Sequence, residues 1–383
     1  MTLPSGSCYS VGAGGHISGG GYGMLSRLYG LTVDWLNEVE VVTVRNGRAE
    51  LVRAGRESAS AEERELFWAH LGGGGGNFGV ISKFFFNRLP TAPGSAWLAT
   101  LAWDWADLLQ HEDLFAQLIR SFGRFFRDHS EPGTRFSPLF AILHLRRVAG
   151  KQIVLTVQHA DEDRGPLDEF IEAIEYGIDQ CRVPSVAPTA SIAGHHLIQS
   201  HSQARKMPWL EITQTENTSG ANQRGKYKSA YMINEFPDEQ IATLWKWLTI
   251  SSDAYPDNPL ALLQIDSYGG TVNAVAPDAT AIPQRSSIMK LQYQTYWAEA
   301  ADDAPNLAWI RDFYAAMYGP SGPVPDGHDG GVMDGCYINY CDSDLENWAW
   351  LYFKDNYARL QQVKAYWDPN NVFHHAQSIR PPD

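Results

Sequence analysis

The sequence predicts an α+β fold in which an antiparallel sheet is covered on one face by helices. Two observations carry this prediction. Strand-like runs between residues 97 and 293 are interleaved with helical stretches, an arrangement typical of a sheet layered with helices. Before them, glycine-dense loops flank a hairpin-like segment. After them, residues 336–366 have the pattern of one short strand followed by one long helix. We therefore expect three units, at residues 1–92, 93–330 and 331–383.

Length and composition set the class of protein. A chain of 383 residues is long enough for two or three layered units that share sizeable cores. Hydrophobic residues make up 44% and charged residues 19%, an ordinary globular composition that excludes a disordered protein. The formal charge of −14 argues against a nucleic-acid partner. No run of 18 apolar residues is present, so we expect no transmembrane helix.

The first unit opens with a glycine-dense loop, Pro4–Gly23. A hairpin is predicted next, because Asn46-Gly47 joins two apolar runs and is the strongest short-range hairpin signal. Those runs are Val39–Val44 and Ala49–Val52. A short helix, a second glycine cluster and a strand follow at Ala61–His70, Gly72–Gly79 and Val80–Phe86.

The middle unit is predicted to hold the covered sheet. Strands are expected at Trp97–Trp103, Leu139–Leu145, Ile153–Val157, Tyr227–Ile233, Leu260–Ile265 and Ile288–Tyr293. Helices are expected near Leu108–Arg127 and at Leu167–Ile178, Asp238–Leu248 and Asn306–Met317.

The last unit is predicted to begin with one short strand, Cys336–Asp342. A long helix, Leu345–Tyr366, follows and ends before Asp368-Pro369, as a helix before proline should. The chain has four cysteines, too few for a disulfide scaffold and without the CxxC spacing of a zinc site, so no metal is expected. They are Cys8, Cys181, Cys336 and Cys341. The last two could bridge, but strand residues five apart usually diverge.

The first glycine loop is not a dinucleotide-binding fingerprint. Gly12-Ala13-Gly14 is followed by Gly15-His16-Ile17, which does not fit GxGxxG, and no strand precedes it. Backbone without Cβ atoms can still approach a planar ring closely. The alternative is a flexible surface loop, and glycine composition alone leaves both open. Bulky residues interleaved among the glycines favour a packed loop: Val11, His16, Ile17 and Tyr22.

The second glycine cluster offers no Lys-Ser or Lys-Thr pair, which argues against a phosphate-binding loop of the Walker type. Asn77-Phe78-Gly79 leads directly into a strand, which indicates backbone packed against the edge of a ligand. Thirteen Trp and seventeen Tyr suit a protein that stacks rings on sugars or polyketides, although an aromatic-rich core explains them equally well.

Five ordered motifs carry a family resemblance. They are GGHISGGGYG after a cysteine, LxxxYGLTVD, ELFWAHLGGGGGNFGVI, YINYCD and NYARLQQVKAYWDPNNVFHHAQSI. Together they resemble the vanillyl-alcohol-oxidase-type flavoproteins of the berberine bridge enzyme branch. Within that branch the chain is most similar to bacterial carbohydrate and antibiotic-tailoring oxidases, such as the glycopeptide hexose oxidases. The resemblance implies that residues 1–92 are the second part of an FAD-binding domain and residues 93–330 a substrate domain. Residues 331–383 would pack back on the FAD domain.

The resemblance also implies roles for particular residues. Cys8 matches a cysteine that forms a thioether to C6 of the isoalloxazine ring. The other implied flavin contacts are Val11, Gly14, Gly15, His16, Ile17, Gly21, Gly23, Asn77, Gly79, Val80, Tyr337 and Asn339. The implied substrate contacts are Lys290, Gln292 and Tyr293, and the implied catalytic tyrosines are Tyr337, Tyr22 and Tyr340. His16 is expected to be a packed loop histidine rather than a catalytic base.

The chemistry implied is oxidation of a substrate alcohol, on a sugar or a glycosylated natural product. A tyrosinate would take the hydroxyl proton while the carbon gives a hydride to flavin N5, and O2 would then yield H2O2. A free tyrosine has a pKa near 10, so it needs neighbours such as Tyr22, Tyr340 or Lys290. On the predicted strand, Tyr337 and Asn339 share one face and Tyr340 takes the other, which favours Tyr337 as the base. Both tyrosines could instead simply pack on the faces of that strand.

An alternative function stays open. Relatives carry a preceding segment with a pyrophosphate-binding loop and a histidine that makes a second bond to the flavin, whereas the sequence starts just before the cysteine loop. We expect FAD to bind well, covalently through Cys8, where such a segment is present. Otherwise the chain would be a truncated or degenerate homologue that binds a sugar or polyketide without functional FAD. Localisation, cytoplasmic or secreted, and oligomeric state stay open.

Overall fold

The computed structural model describes residues 1–6, 8, 11–178, 204–215, 224–327 and 330–382. The helices of this part of the chain are α1 (Ala13–Ser18), α2 (Ser26–Tyr29), α3 (Ala61–Ala69), α4 (Trp105–Leu108), α5 (Glu112–Asp128), α6 (Gly165–Glu175), α7 (Trp209–Thr215), α8 (Asp238–Thr249), α9 (Asp303–Tyr318), α10 (Trp348–Phe353) and α11 (Asn356–Trp367). The strands are β1 (Glu38–Arg45), β2 (Arg48–Gly55), β3 (Val80–Phe85), β4 (Ser95–Asp104), β5 (Leu139–Arg146), β6 (Gln152–His159), β7 (Arg205–Pro208), β8 (Arg224–Met232), β9 (Leu262–Ser267) and β10 (Met289–Trp297).

The predicted hairpin is confirmed and forms part of a three-stranded antiparallel sheet in the order β2-β1-β3. Asn46 and Gly47 both have positive φ, 50° and 73°, as the tight turns of two-residue hairpins require. The predicted helix α3 is also confirmed, and Ser60 Oγ caps it by accepting the Glu63 N–H at 3.3 Å.

The larger sheet has seven strands in the order β7-β4-β6-β5-β9-β10-β8, with every neighbouring pair antiparallel. All six strands predicted for this region are present. The short pair β7 and α7 was not predicted. One face of the sheet packs its apolar side chains against α5, α6, α8 and α9 in the main core, so the prediction of a sheet covered by helices on one face is confirmed. The opposite face carries the polar residues of the candidate site.

The predicted strand Cys336–Asp342 is wrong, because these residues form a turn. Tyr340 N–H donates to Tyr337 O at 3.1 Å, a local bond that an extended strand cannot make. The predicted single helix Leu345–Tyr366 is also wrong, because Lys354, with φ 45°, ends α10 before α11 begins. The predicted helix near Leu108–Arg127 is confirmed as α5, which begins four residues later at Glu112, and the short helix α4 precedes it.

Cys336 and Cys341 are free thiols, as expected. The buried Cys336 Sγ donates to Ser229 O at 3.2 Å, and Cys181 lies outside the described residues. Over those residues, no helix is long and apolar enough to cross a membrane. The described residues also contain no group of three or more His, Cys, Asp or Glu side chains placed to hold a metal ion.

Candidate active site

The candidate site lies on the polar face of the seven-stranded sheet. Asp266 on β9 pairs directly with Lys290 on β10, and alternation along each strand sends both side chains away from the helices. Both residues are almost fully buried, at 1% and 0% exposure. Two distant segments meet them there, namely the first glycine loop and the turn Cys336–Asp342, which we call the tyrosine turn.

Two tyrosines connect this pair into a hydrogen-bonded chain. Tyr22 donates its hydroxyl proton to Asp266 Oδ2, and its oxygen lies 2.9 Å from Tyr340 Oη. Because a phenol has one proton, Tyr340 must be the donor in the second bond. Burial, reinforced by the Asp266 charge, raises the pKa of both tyrosines well above 10. Burial also raises the pKa of Asp266, although the charge of Lys290 opposes it.

Lys290 Nζ lies among the rings of the same tyrosines. It is 3.3 Å from the ring centre of Tyr22, 3.5 Å from that of Tyr337 and 4.2 Å from that of Tyr340. Among the described residues Nζ has no hydrogen-bond partner, so ring faces replace the usual acceptors. Burial lowers the pKa of Lys290 well below 10.5, and the attraction of Asp266 counteracts this in part.

The tyrosine turn brings its polar residues together instead of dividing them between two faces. The rings of Tyr337 and Tyr340 are in contact, with centroids 5.0 Å apart. Asn339 Nδ2 donates to Tyr337 Oη at 2.8 Å and to His16 O at 3.1 Å. The alternation argument that separated Tyr337 from Tyr340 is therefore wrong, because it assumed a strand.

The first glycine loop contains helix α1, and its glycines are of two kinds. A Cβ added to Gly14 or Gly15 would meet no atom within 4 Å, so open space lies beside them. At Gly21 and Gly23, by contrast, a Cβ would lie 2.2 Å from the His16 ring and 1.8 Å from Ser5 O. The loop is thus packed on one side and open on the other.

The other loop residues follow the same division. Val11 is 54% exposed, whereas Ile17 is buried in the apolar cluster of the smaller sheet. His16 Nε2 accepts the Gly6 N–H at 3.2 Å, and burial together with the Lys290 charge lowers the pKa of His16 to about 4. A neutral histidine that accepts a backbone bond agrees with the expected packing role.

The second glycine loop is held by the C-terminal segment. Asn77 Nδ2 donates to Gly73 O at 3.1 Å, and its Oδ1 accepts the Ile379 N–H at 2.9 Å. Buried Lys364 donates to Asn77 O at 2.7 Å. Both polar atoms of the Asn77 side chain are therefore occupied by hydrogen bonds to the protein backbone. The loop ends at Gly79, and the following Val80 is 61% exposed.

Two predicted substrate residues share the site face and one does not. Gln292 follows Lys290 on the polar face of β10, and it is 8% exposed. Tyr293 points the other way, into the helix-covered core, where its hydroxyl lies 2.8 Å from that of Tyr318. Alternation along β10 thus separates Tyr293 from the site.

Asp266 was missed from the sequence. The available signal was a carboxylate inside the apolar strand LLQIDS, since a buried carboxylate needs a partner. Its partner Tyr22 is 244 positions away, so local patterns could not identify the pair.

Cys8 is half-buried and lies near the tyrosine-rich end of the site. Its thiolate charge would raise the pKa of Tyr227, Tyr296 and Tyr340, in each case as a smaller cause than burial. Cys8 therefore lies within electrostatic range of Tyr340, the outer member of the hydrogen-bonded chain.

Comparison with known proteins identifies the family to which the chain belongs. Residues 1–53 match a family described as FAD binding domain, and residues 336–380 match one described as berberine and berberine like. The chain is 41% identical to a hexose oxidase of Chondrus crispus, over 98% of this chain and 74% of the relative. It is 37% identical to the aclacinomycin-N/aclacinomycin-A oxidase of Streptomyces galilaeus, over 100% of this chain and 70% of the relative. Among solved structures, a glycopeptide hexose oxidase complexed with teicoplanin superimposes with a TM-score of 0.86 at 35% identity, over 99% of this chain and 76% of that chain.

Fold, site and matches together define an FAD-dependent oxidoreductase. The chain belongs to the berberine and berberine-like family of these flavoproteins. Two features of its own structure fit FAD. The Cβ-free side of α1 at Gly14 and Gly15 leaves open space for a planar ring, and Lys290 is a buried amine whose Nζ has no hydrogen-bond partner among the described residues.

Proposed function

We propose that this protein oxidises a hydroxyl-bearing carbon of a sugar or glycosylated natural product, with O2 as the final oxidant and H2O2 as product. The names of the similar proteins, a hexose oxidase and an aclacinomycin oxidase, support the substrate class. The observation that carries the proposal is the hydrogen-bonded chain from Tyr340 through Tyr22 to the buried Asp266.

In this proposal Cys8 would hold FAD covalently, and Gly14, Gly15, Asn339 and the backbone at Gly79 would pack against it. Bound FAD supplies the acceptor for the hydride that leaves the substrate carbon. The remaining task for the protein is to remove the hydroxyl proton as that hydride departs.

The hydrogen-bonded chain can take that proton without a resting tyrosinate. As the substrate hydroxyl gives its proton to Tyr340 Oη, the Tyr340 proton moves to Tyr22 and the Tyr22 proton moves to the Asp266 carboxylate. Neither tyrosine is ionised before or after the transfer, which agrees with the raised pKa of both. The raised pKa of Asp266 makes it a better final acceptor than an exposed carboxylate.

Lys290 assists this transfer through charge. Its Nζ lies over the Tyr22 and Tyr340 rings, so in its protonated form Lys290 stabilises negative charge that develops on either oxygen during the transfer. It also pairs electrostatically with Asp266 across the two strands.

This geometry favours Tyr340 over Tyr337 as the proton acceptor. The Tyr337 hydroxyl accepts from Asn339, and its own nearest acceptor is Gly20 O at 3.5 Å, a long bond that leads to no carboxylate. In this proposal Tyr337 instead orients the substrate and the ring system.

Stopped-flow flavin reduction by free hexoses and glycosides tests the proposal, with peroxide measured in parallel. Tyr340→Phe should slow the limiting rate by about 10²–10⁴-fold, the usual contribution of general base catalysis. Tyr337→Phe is the matched control, since it keeps the ring contacts, and it should lose much less. If Tyr337→Phe is the impaired variant, the proton leaves through Tyr337 as the sequence predicted. If no sugar or glycoside reduces the flavin of the wild-type protein, the proposed function is wrong.

A further inference from the structure

The tyrosine turn wraps around strand β8, at the edge of the seven-stranded sheet. Residues 332–335 run along this edge, where Tyr231 N–H donates to Gly335 O at 2.8 Å. The turn then crosses the polar face, where the Tyr340 ring stacks on Tyr227 with centroids 6.3 Å apart. Two residues later, Asp342 contacts Lys226 and Lys228, which alternate with Tyr227 along β8.

These lysines point to the opposite face of the sheet. Lys228 Nζ lies 4.7 Å from the ring centre of Tyr314 on α9, one of the helices that cover that face. The chain therefore passes from one face of the sheet to the other between Tyr340 and Asp342, and it encloses the edge of β8.

Asp342 is held from several directions. Its Oδ1 is 2.6 Å from Lys226 Nζ, its Oδ2 is 2.7 Å from Lys228 Nζ, and its side chain is 1% exposed. Its N–H donates to the Tyr352 hydroxyl at 3.2 Å, and its carbonyl accepts from Gln377 at 2.8 Å. A buried carboxylate between two ammonium groups fixes its backbone far more firmly than a surface ion pair would.

We propose that Asp342 is a positioning residue for the proposed reaction. Its carboxylate anchors the tyrosine turn to the two lysines of β8 and so holds Tyr340 within hydrogen-bond distance of Tyr22. The kinetic part of this inference rests on the function proposed above. The structural part does not, because the contacts of Asp342 with β8 and of Tyr340 with Tyr22 form within the protein and require no flavin or substrate.

The negative charge of the Asp342 carboxylate should be essential for holding the tyrosine turn on β8. An amide there would leave the buried Lys228 ammonium, 4% exposed, beside Lys226 with a weaker acceptor between them. Asp344 provides a matched comparison in the same cluster. It is 3.2 Å from both lysines, but its side chain is 24% exposed and its shortest contacts, at 3.0 Å, are with Arg311.

The experiment compares Asp342→Asn, Asp342→Glu and Asp344→Asn, with Lys226→Met as a milder disruption. Hydrogen exchange of the peptide that spans residues 336–344 should be faster in Asp342→Asn and near wild type in Asp344→Asn. The limiting rate of flavin reduction should fall by about 100-fold in Asp342→Asn with KM little changed, since an ångström of misplacement costs about that much. Asp342→Glu should recover part of the rate, and Lys226→Met should fall between.

Several outcomes would overturn the inference. It is wrong if Asp342→Asn leaves exchange in the turn unchanged, if Asp344→Asn behaves in the same way, or if exchange rises equally across the whole sheet. A wild-type protein that reduces no flavin with any sugar would contradict the proposed function instead, and hydrogen exchange would still decide whether Asp342 holds the turn.

Discussion

At the scale of single residues, the proposed mechanism places the resting negative charge on a carboxylate instead of on a tyrosine. The sequence motif indicated a tyrosinate base, which burial makes unfavourable here because it raises the pKa of Tyr22, Tyr337 and Tyr340. Asp266, bonded to Tyr22 and supported by Gln264 Nε2 at 2.8 Å, resolves the difficulty. In the proposed function the tyrosines relay a proton that ends on Asp266.

Cys8 yields the prediction for covalent attachment. In the flavin-loaded protein, the proteolytic peptide that contains Cys8 should carry the mass of a flavin, because a thiolate beside the site is the competent nucleophile. Cys8→Ala should lose that adduct. Cys341→Ala, which removes a free thiol next to the site, should keep it. Mass spectrometry of the digests is the measurement, and an unmodified Cys8 peptide in a fully loaded wild-type protein would refute the attachment.

At the scale of elements, sequence patterns predicted strands well where alternation matched burial. Strand β1, EVEVVTVR, shows this alternation in both sequence and burial, and it was located within one residue at each end. The segment 336–342 also alternates, with Tyr337 and Asn339 in strand-like spacing, yet it forms a turn. Contacts with Lys290, His16 O and β8 determine its shape, and each partner lies far away in the sequence. Long-range contacts of this kind override a local pattern.

The division of the C-terminal helix has a similar cause. The stretch from Leu345 to Tyr366 has no proline and no glycine, so nothing in its composition predicts an interruption. Lys354 adopts a positive φ and directs its ammonium to the buried Asp334 carboxylate, an ion pair that sequence periodicity does not reveal. The break therefore reflects a tertiary contact.

The end of helix α3 gives a prediction on stability. His70, 2% exposed, donates from Nδ1 to Leu66 O at 2.7 Å, and burial lowers its pKa to about 4 despite that bond. In the unfolded chain its pKa is about 6.5. Between these values only the unfolded state takes up the proton, so this contribution is fully present above pH 6.5 and is lost as the pH falls towards 4.

The expected effect of His70 is roughly 2 kcal/mol of unfolding free energy lost between pH 7 and pH 5. Chemical denaturation at both pH values measures it, and His70→Gln should show a pH dependence smaller by about that amount. His374→Gln, at an exposed histidine, is the control and should keep the wild-type dependence. An equal change in unfolding free energy with pH for His70→Gln and the wild type would show that His70 is not the source of the pH dependence.

At the scale of the whole molecule, the site exists only where three segments of the chain meet. The first glycine loop supplies Tyr22, the seven-stranded sheet supplies Asp266 and Lys290, and the tyrosine turn supplies Tyr337 and Tyr340. The position of the first glycine loop against the sheet therefore decides whether the hydrogen-bonded chain from Tyr340 to Asp266 is continuous.

Arg27 on α2 is the residue that fastens this loop to the sheet, and it gives the last prediction. Fully buried, its guanidinium donates to Leu139 O at 2.9 Å, to His129 O at 2.7 Å and to Tyr268 O. Arg27→Met keeps the volume but leaves three carbonyls without their donor, so the unfolding free energy should fall by about 3 kcal/mol. Arg53→Met, which breaks an exposed pair with Glu38, should cost at most about 1 kcal/mol. Denaturant titration of both variants measures the difference in unfolding free energy. Equal losses would mean that Arg27 does not join the first glycine loop to the seven-stranded sheet.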